Sequence, residues 1–473
     1  MRRRYPRIII AGFRGGSGKT ILSLGLTAAL RKQGLTIAPF KKGPDYIDAG
    51  WLNTAAEQNC YNLDQFLTGR KRIRSSFQEH FGDADCAIIE GNRGLYDGMD
   101  VTGTFSTAEL SKILKAPVIL ILDCTKVTRT TGAMVYGMQR FDRTVDIKGI
   151  VLNRVAGSRH ENIIRKTIKK YCRVPVLGAI PRLPNGILLE RHMGLTPFQE
   201  HPDKETIITF ASDIAEQYLD LDRIYTIARS APSLPSSSVR TKHAHSQSSI
   251  WNKEPRAVIG IVRDSAFQFY YPDNFEALEK RGVRLVEISA LREKTVGDID
   301  ALYIGGGFPE THAIALAENT RFKKSLKRAV ENGLPVYAEC GGLIYLGKAL
   351  RLGPKTYPMA GIFPVTFSLE KIPQAHGYTV VEVKRKNPFY KRGTALKGHE
   401  FHYSRVVKTD RKAGMQYSFV MKRGQGISDH LDGLCYRNVL ATYTHIHALG
   451  TDTWADGLVR SAIQYRKTEK SKQ

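Results

Sequence analysis

Arg7-Ile8-Ile9-Ile10-Ala11-Gly12-Phe13-Arg14-Gly15-Gly16-Ser17-Gly18-Lys19-Thr20 decides the fold of the first half of the chain. Arg7 to Gly12 reads as a short apolar strand, and the pattern from Ile21 to Lys32 reads as a helix. A glycine loop joins them and ends in Gly-Lys-Thr. A strand, a glycine loop and a helix in that order form a cradle for phosphate groups, because backbone N–H groups converge at the helix N-terminus. Lys19 adds a full positive charge, and the Thr20 hydroxyl suits Mg²⁺. Five residues separate Gly12 from Gly18, where the common version of this loop has four, so this is a variant loop.

Further strand patterns follow: Leu35 to Phe40, Cys86 to Glu90, Pro117 to Asp123, Ile147 to Asn153 and Val176 to Ile180. Helical patterns alternate with them. This alternation predicts a doubly wound, mostly parallel α/β sheet. Such sheets bind ligands at the C-terminal ends of their strands. Asp45 and Asp48 sit just past one such end, in Gly43-Pro44-Asp45-Tyr46-Ile47-Asp48. Glu90 ends another strand and suits a second Mg²⁺ contact. Asp97 follows in Gly94-Leu95-Tyr96-Asp97-Gly98. Asn153 stands at a third end, where it suits either an adenine edge or the cap of the next helix.

From 230 to 254 the chain is rich in Ser, Pro, His and Lys, and reads as a linker. It divides a first domain, 1–229, from a second, 255–463, with a basic tail at 464–473. The second domain opens on a new strand pattern at Ala257 to Val262. Gly305-Gly306-Gly307 makes a glycine turn after a strand. A second apolar run enters Tyr337-Ala338-Glu339-Cys340-Gly341-Gly342. A cysteine on a tight strand-to-helix turn is expected to expose its sulfur, with its thiolate favoured by the helix N-terminus. A cysteine nucleophile needs a base. His445 and His447, two residues apart on one strand face, both suit that role.

Composition sets limits. The chain has 473 residues, 42% hydrophobic and 25% charged, enough for two or three domains with cores of their own. No apolar run is long enough for a membrane span. The six cysteines lack zinc-site or disulfide spacing and suit a reducing cytoplasm. The net charge of +26 suits a polyanionic partner. The basic residues are spread along the chain with no nucleic-acid-binding motif, which favours a polyanionic small molecule over nucleic acid.

These motifs together resemble the cobyrinate a,c-diamide synthases, glutamine-dependent enzymes that amidate acetate side chains of a corrin precursor. Gly12 to Thr20, Gly43 to Asp48, Glu90 to Gly98 and Glu190-Arg191-His192-Met193-Gly194-Leu195 resemble the synthetase half. Gly305 to Glu310, Ala338 to Gly342, Gly398-His399-Glu400-Phe401-His402-Tyr403-Ser404 and the His445 strand resemble the class I glutaminase half. The resemblance implies a P-loop-type domain followed by a glutaminase-like α/β domain. It implies that Cys340 attacks glutamine and His445 activates it. It also implies that ATP turns a substrate carboxylate into an acyl phosphate, which ammonia then attacks. Gly12, Gly16, Gly18, Lys19, Thr20 and Asn153 are the expected nucleotide contacts. Thr20, Asp45 and Glu90 are the expected Mg²⁺ ligands, and Asp48 and Asp97 the residues near the substrate. The expected small molecules are ATP, glutamine and a tetrapyrrole polycarboxylate. A homodimer is compatible with this reading. Relatives acting on nickel-sirohydrochlorin or sirohaem share the scaffold. A partitioning-type ATPase with a non-catalytic glutaminase domain is the reading from a different class.

Overall fold

The computed structural model describes residues 4–183, 190–191, 194–196, 198–201, 203–235, 254–410 and 414–471. The chain divides into two compact units, 1–242 and 243–473.

In the first unit the strands are β1 (Arg7–Gly12), β2 (Ile37–Lys42), β3 (Tyr61–Leu63), β4 (Cys86–Gly94), β5 (Val118–Asp123), β6 (Ile147–Val155) and β7 (Val176–Pro181). They form one sheet in the order β3-β2-β4-β1-β5-β6-β7, with parallel pairing throughout. Its strands are apolar on both faces because helices cover both. In β1 the alternation is visible residue by residue. Ile8 and Ile10 join one core cluster, and Ile9 and Ala11 join the other. Each isoleucine so buried contributes roughly 2–3 kcal/mol against solvent exposure. The six strands read from the sequence are all present. The seventh, β3, is a three-residue edge strand too short to show a period.

One edge of this sheet collects polar residues. Gly12, Lys41, Glu90, Asp123 and Asn153 lie at or near the C-terminal ends of β1, β2, β4, β5 and β6. Register holds them level: Ile10 pairs with Glu90, Glu90 with Lys41, and Asp123 with Asn153. The glycine loop leads into the helix Lys19–Lys32, whose Leu22, Leu24, Leu26 and Leu30 are buried.

A two-stranded ribbon, β8 (Glu190–Arg191) and β9 (Gly194–Leu195), lies in the 190–195 motif, whose His192 and Met193 fall outside the described residues. Of the expected linker, 236–253 falls outside them as well. Its first residues are structured: Ala231 and Leu234 are buried, and Pro232 O accepts a 2.7 Å hydrogen bond from Arg7.

The second unit contains β10 (Val258–Val262), β11 (Arg284–Ile288), β12 (Ala301–Ile304), β13 (Val336–Glu339), β14 (Ala349–Leu352), β15 (Lys355–Pro358), β16 (Val365–Leu369), β17 (Ala375–Val383), β18 (Ala395–His402), β19 (Ser404–Thr409), β20 (Gln416–Arg423), β21 (Leu431–Tyr436), β22 (Val439–Thr442) and β23 (His445–Ile446). Ten of them form a mixed sheet, β11-β10-β12-β13-β22-β21-β20-β17-β18-β23. Its first five strands are parallel; the rest pair antiparallel. β15-β14-β16-β19 form a smaller sheet.

The helix Asp452–Lys470 closes the chain over one face of the large sheet, burying Trp454, Leu458 and Ala462. It runs on through most of the expected basic tail. The apolar stripe continues to Ile463 and Tyr465, and Arg466 donates a 2.6 Å hydrogen bond to Pro255 O.

Candidate functional site

Each unit holds one cluster of chemical groups. In the first, the glycine loop is closed by Ser17, whose hydroxyl donates to Arg14 O at 2.9 Å and accepts from Arg14 N at 3.3 Å. Gly16 and Gly18 both have positive φ, at 71° and 97°. At Gly18 a side chain is excluded twice over, by that backbone and by the Asn153 amide pressed against it. The helix that follows has no side-chain cap and no acidic residue in its first turn, so its N–H groups stay available for an anion.

Lys19 is buried beside Gly12, with Nζ 3.3 Å from where a Cβ at that glycine would sit. Burial pushes the Lys19 ammonium down, while Glu90, Asp48 and Asp97 pull it back up against Lys41. Thr20 Oγ1 donates to Glu90 Oε1 at 2.9 Å. Lys41 Nζ donates to the same oxygen at 2.9 Å and to Asp48 Oδ2 at 2.6 Å.

Burial pushes the Glu90 carboxyl up to about 7, with Lys41 opposing that rise and Asp48 adding to it. Burial also pushes Asp45 up to about 6, together with the nearby Asp48 charge. Asp45 Oδ1 accepts from Asp48 N at 2.9 Å, which folds the turn back on itself. Asn62 holds that turn by donating to Gly43 O at 2.8 Å and Asp45 O at 2.9 Å.

Two expected residues lie at the rim. Asp97 is exposed and accepts from Gly94 N at 2.8 Å. Asn153 donates to Ser17 O at 2.9 Å. It does not cap the next helix, because β6 runs on to Val155 and the cap position falls to Gly157.

Mg²⁺ is the ion expected among the acidic groups. Thr20, Asp45 and Glu90 offer hard oxygen donors, the type this ion takes. Glu90 Oε2 is buried with no hydrogen-bond partner. A buried carboxylate oxygen without a donor is costly unless a cation meets it. These residues fit the ion.

In the second unit Cys340 follows β13 on a turn with φ 46° and ψ −98°, a strained conformation for a residue with a side chain. Its N–H donates to Thr442 O at 2.8 Å, tying the turn to β22. The side chain is buried, contrary to the exposed sulfur expected from the sequence. Burial pushes its thiol well up, and the Glu310 charge adds to this; the Gly341 N–H opposes it. The thiol therefore needs an internal base to ionise.

Of the two histidines expected as the base, His445 is the one that contacts Glu339, the residue before Cys340. Its Nδ1 lies 3.3 Å from Glu339 Oε2, and its ring stacks on His399 at 4.9 Å between centroids. Its Cε1 is 2.5 Å, and its Nε2 3.3 Å, from where a Cβ at Gly306 would stand. His447 turns elsewhere: its Nδ1 accepts from Leu449 N at 3.3 Å, and its Nε2 lies 3.4 Å from Asp273 Oδ2.

The segment before His445 is pinned by Asp432. Its buried carboxylate accepts from the Thr442 hydroxyl at 2.6 Å, the Thr444 hydroxyl at 3.0 Å, Tyr443 N at 3.1 Å and Thr444 N at 3.2 Å.

Sequence reasoning missed Lys41, Glu339 and Asp432. Lys41 and Glu339 carried a readable signal: each is a charged residue that follows an apolar strand run and stands within two residues of a glycine-containing turn. Asp432 had none, since an aspartate in β21 becomes informative only once its partners on 442–444 are in place.

Comparison with known proteins follows the same division. Residues 8–194 match the family described as the CobQ/CobB/MinD/ParA nucleotide binding domain. Residues 258–453 match the CobB/CobQ-like glutamine amidotransferase domain. A cobyrinate a,c-diamide synthase of Magnetococcus marinus is 40% identical over 457 residues, covering 97% of each chain. One of Archaeoglobus fulgidus is 39% identical over 461 residues, covering 97% of this chain and 98% of the relative. One of Listeria innocua is 37% identical over 443 residues, covering 93% and 96%. With a nucleotide-binding unit, a glutaminase unit and this identity along nearly its whole length, the chain belongs to the cobyrinate a,c-diamide synthase family.

Proposed function

We propose that this chain uses ATP and glutamine to amidate the a and c acetate carboxylates of a tetrapyrrole, cobyrinic acid, as a step of cobalamin biosynthesis. One observation carries the reading: a single chain of this family holds both a buried Cys340, directly after the Glu339 whose carboxylate meets His445, and a glycine loop whose Thr20 shares the Glu90 carboxylate with Lys41.

In the glutaminase unit the Cys340 Sγ–H proton passes to His445 Nε2. The sulfur attacks the side-chain amide carbon of glutamine. The C–N bond breaks as His445 returns the proton to the leaving nitrogen, giving ammonia and a thioester. Water, deprotonated by His445, cleaves the thioester to glutamate.

In the synthetase unit a carboxylate oxygen of the macrocycle attacks the γ-phosphorus of ATP. An acyl phosphate forms and ADP leaves. Ammonia attacks the acyl carbon and phosphate leaves. Lys19 and the loop N–H groups offset charge on the transferring phosphoryl group. Asp48 and Asp97 act near the macrocycle or the intermediate. Thr20, Asp45 and Glu90 would hold Mg²⁺, which when bound neutralises phosphate charge.

The cytoplasm is the compartment we propose, since all six cysteines are free and buried. Among the described residues no helix is long and apolar enough to cross a membrane. We propose a homodimer in solution, which light scattering tests.

The test is incubation with ATP, Mg²⁺, glutamine and a panel of cobyrinic acid, sirohydrochlorin and nickel-sirohydrochlorin, read by mass spectrometry. Two successive carboxyl-to-amide exchanges on cobyrinic acid are expected. Exchange confined to another macrocycle moves the substrate assignment. ATP hydrolysis with no amide formed on any of them overturns the reading.

A further inference from the structure

Glu339 is a carboxylate with no exposed surface, at the end of a strand whose neighbours are apolar. Placing a charge there is unfavourable unless donors meet it. Three do. The Tyr303 hydroxyl on β12 donates to Oε2 at 3.3 Å. His445 Nδ1 lies 3.3 Å from the same oxygen. The Ile446 N–H donates to Oε1 at 3.3 Å. Two of these donors belong to consecutive residues of β23, so the carboxylate grips both the ring and the backbone of the base. Its own backbone is joined directly to Cys340.

We propose that Glu339 is the positioning residue of the glutaminase site: it keeps the His445 proton on Nδ1, so that Nε2 is the atom that takes the proton from Cys340, and it balances the imidazolium that results. This rests on the assignment of Cys340 as nucleophile and His445 as base. A neutral imidazole carries one N–H, and a carboxylate at Nδ1 selects the tautomer with the proton there. When His445 accepts the thiol proton, the imidazolium forms in a buried site where an opposite charge one hydrogen bond away has its largest effect. The residue two positions after His445, which shares its strand face, cannot take this role. It is His447, aimed at Asp273.

Among the described residues, Tyr303, Tyr270, Tyr337, Tyr390 and the Cys340 thiol feel the Glu339 charge. His399 stacks on His445, with His447 acting on His399 in turn. Burial first, then the charges of His445, His447 and His376, hold His399 well below the usual histidine range. It stays neutral at working pH and does not compete for Glu339.

The experiment compares the wild type with Glu339→Gln and Glu339→Asp. It measures glutaminase kcat and KM, ammonium-driven amidation, and the pH dependence of Cys340 alkylation by iodoacetamide. Glutamine accepts one hydrogen bond but carries no charge and can favour the wrong tautomer. Its kcat is expected to fall by about 10²–10⁴-fold, with KM for glutamine within about threefold. Aspartate keeps the charge and is expected to lie between glutamine and wild type. Ammonium-driven amidation is expected to stay at the wild-type rate in both. The alkylation curve of Glu339→Gln should move to higher pH: the Glu339 charge by itself disfavours the thiolate, but the imidazolium one hydrogen bond away loses more by its removal than the thiolate gains.

If glutaminase kcat in Glu339→Gln stays within about threefold of wild type and its alkylation curve is unmoved, the inference is overturned. If Cys340→Ser retains glutamine-driven activity, the underlying nucleophile assignment fails instead, so the two failures are separable. Should neither Glu339 variant fold, the wild type decides. A far-downfield imidazole N–H resonance that disappears in His445→Gln is required, and its absence overturns the inference.

Discussion

Lys41 Nζ donates to Glu90 Oε1 at 2.9 Å, and the two residues stand in register across neighbouring parallel strands. The same ammonium holds Asp48 at 2.6 Å. It is therefore the internal cation that lets two carboxylates and the Thr20 hydroxyl share one cluster. Burial opposes its charge, and Asp48, Glu90 and Asp45 more than restore it, so the Lys41 ammonium is held well above the usual lysine range.

Lys41→Met should abolish amidation with either nitrogen source. It should also destabilise the first unit by about 3–5 kcal/mol, the range for breaking a buried pair at one end. Chemical denaturation and an ammonium-driven assay check both. A variant of wild-type stability would show that Lys41 is not needed to balance Asp48 and Glu90.

Lys19→Ala should lose synthesis with glutamine and with ammonium salts alike, because among the loop residues Lys19 is the charge aimed at the phosphates. Glutaminase activity, which belongs to the other unit, serves as the folding control. Near-normal ammonium-driven synthesis would remove the nucleotide-loop assignment.

Gly306→Ala should behave like Cys340→Ser: glutamine-driven amidation lost, ammonium-driven amidation kept. The added methyl would stand 2.5 Å from His445 Cε1, so the ring must shift. A shift of about 1 Å in a base costs on the order of a hundredfold. Wild-type glutaminase rates in the alanine variant would place His445 outside the reacting geometry.

Alkylation of Cys340 should keep rising as pH increases past the ordinary thiol range. Burial, followed by the Glu310 charge, holds the proton on sulfur. Removing that charge in Glu310→Gln makes the thiolate less unfavourable, so the curve should move to lower pH. A rate–pH curve that levels off near pH 7, or one that Glu310→Gln leaves in place, contradicts this account.

Macrocycle affinity should fall as salt rises. A chain of net charge +26 attracts a polycarboxylate over long range, and that attraction is screened. Titrating macrocycle absorbance at two ionic strengths with an ATP analogue present is the measurement. Salt-independent binding would mean that the net charge has no part in recognition.

Much of this architecture was legible in the sequence, for reasons visible in particular residues. The Ile8-Ile9-Ile10 run could only be a strand covered on both faces, and the glycine loop after it named the chemistry. The turn at Cys340 was legible because two glycines follow a residue at a strand end. His445 and His447 could not be told apart, since their difference lies in Glu339 and Asp273, which reach them from distant parts of the chain. The exposure of Cys340 was misread for a related cause. Phe401 O, 3.9 Å from its sulfur, comes from β18, far away along the chain. Local spacing reports turns and strand ends, while burial is set by what tertiary packing brings over them.

The guanidinium of Arg7 has a practical consequence for anyone dissecting the chain. It is buried, has no carboxylate partner among the described residues, and spends its donors on the carbonyls of Tyr5, Leu114, Lys115 and Pro232. Leu234 fills the core beneath, and Pro235 O accepts from Gln78 at 3.1 Å. An expression fragment ending at 229, where the sequence composition changes, would strip the last of those carbonyls from the first strand and open a hole where Leu234 packs. A fragment carried past 235 keeps both, and is the one to express for studying phosphate chemistry in isolation.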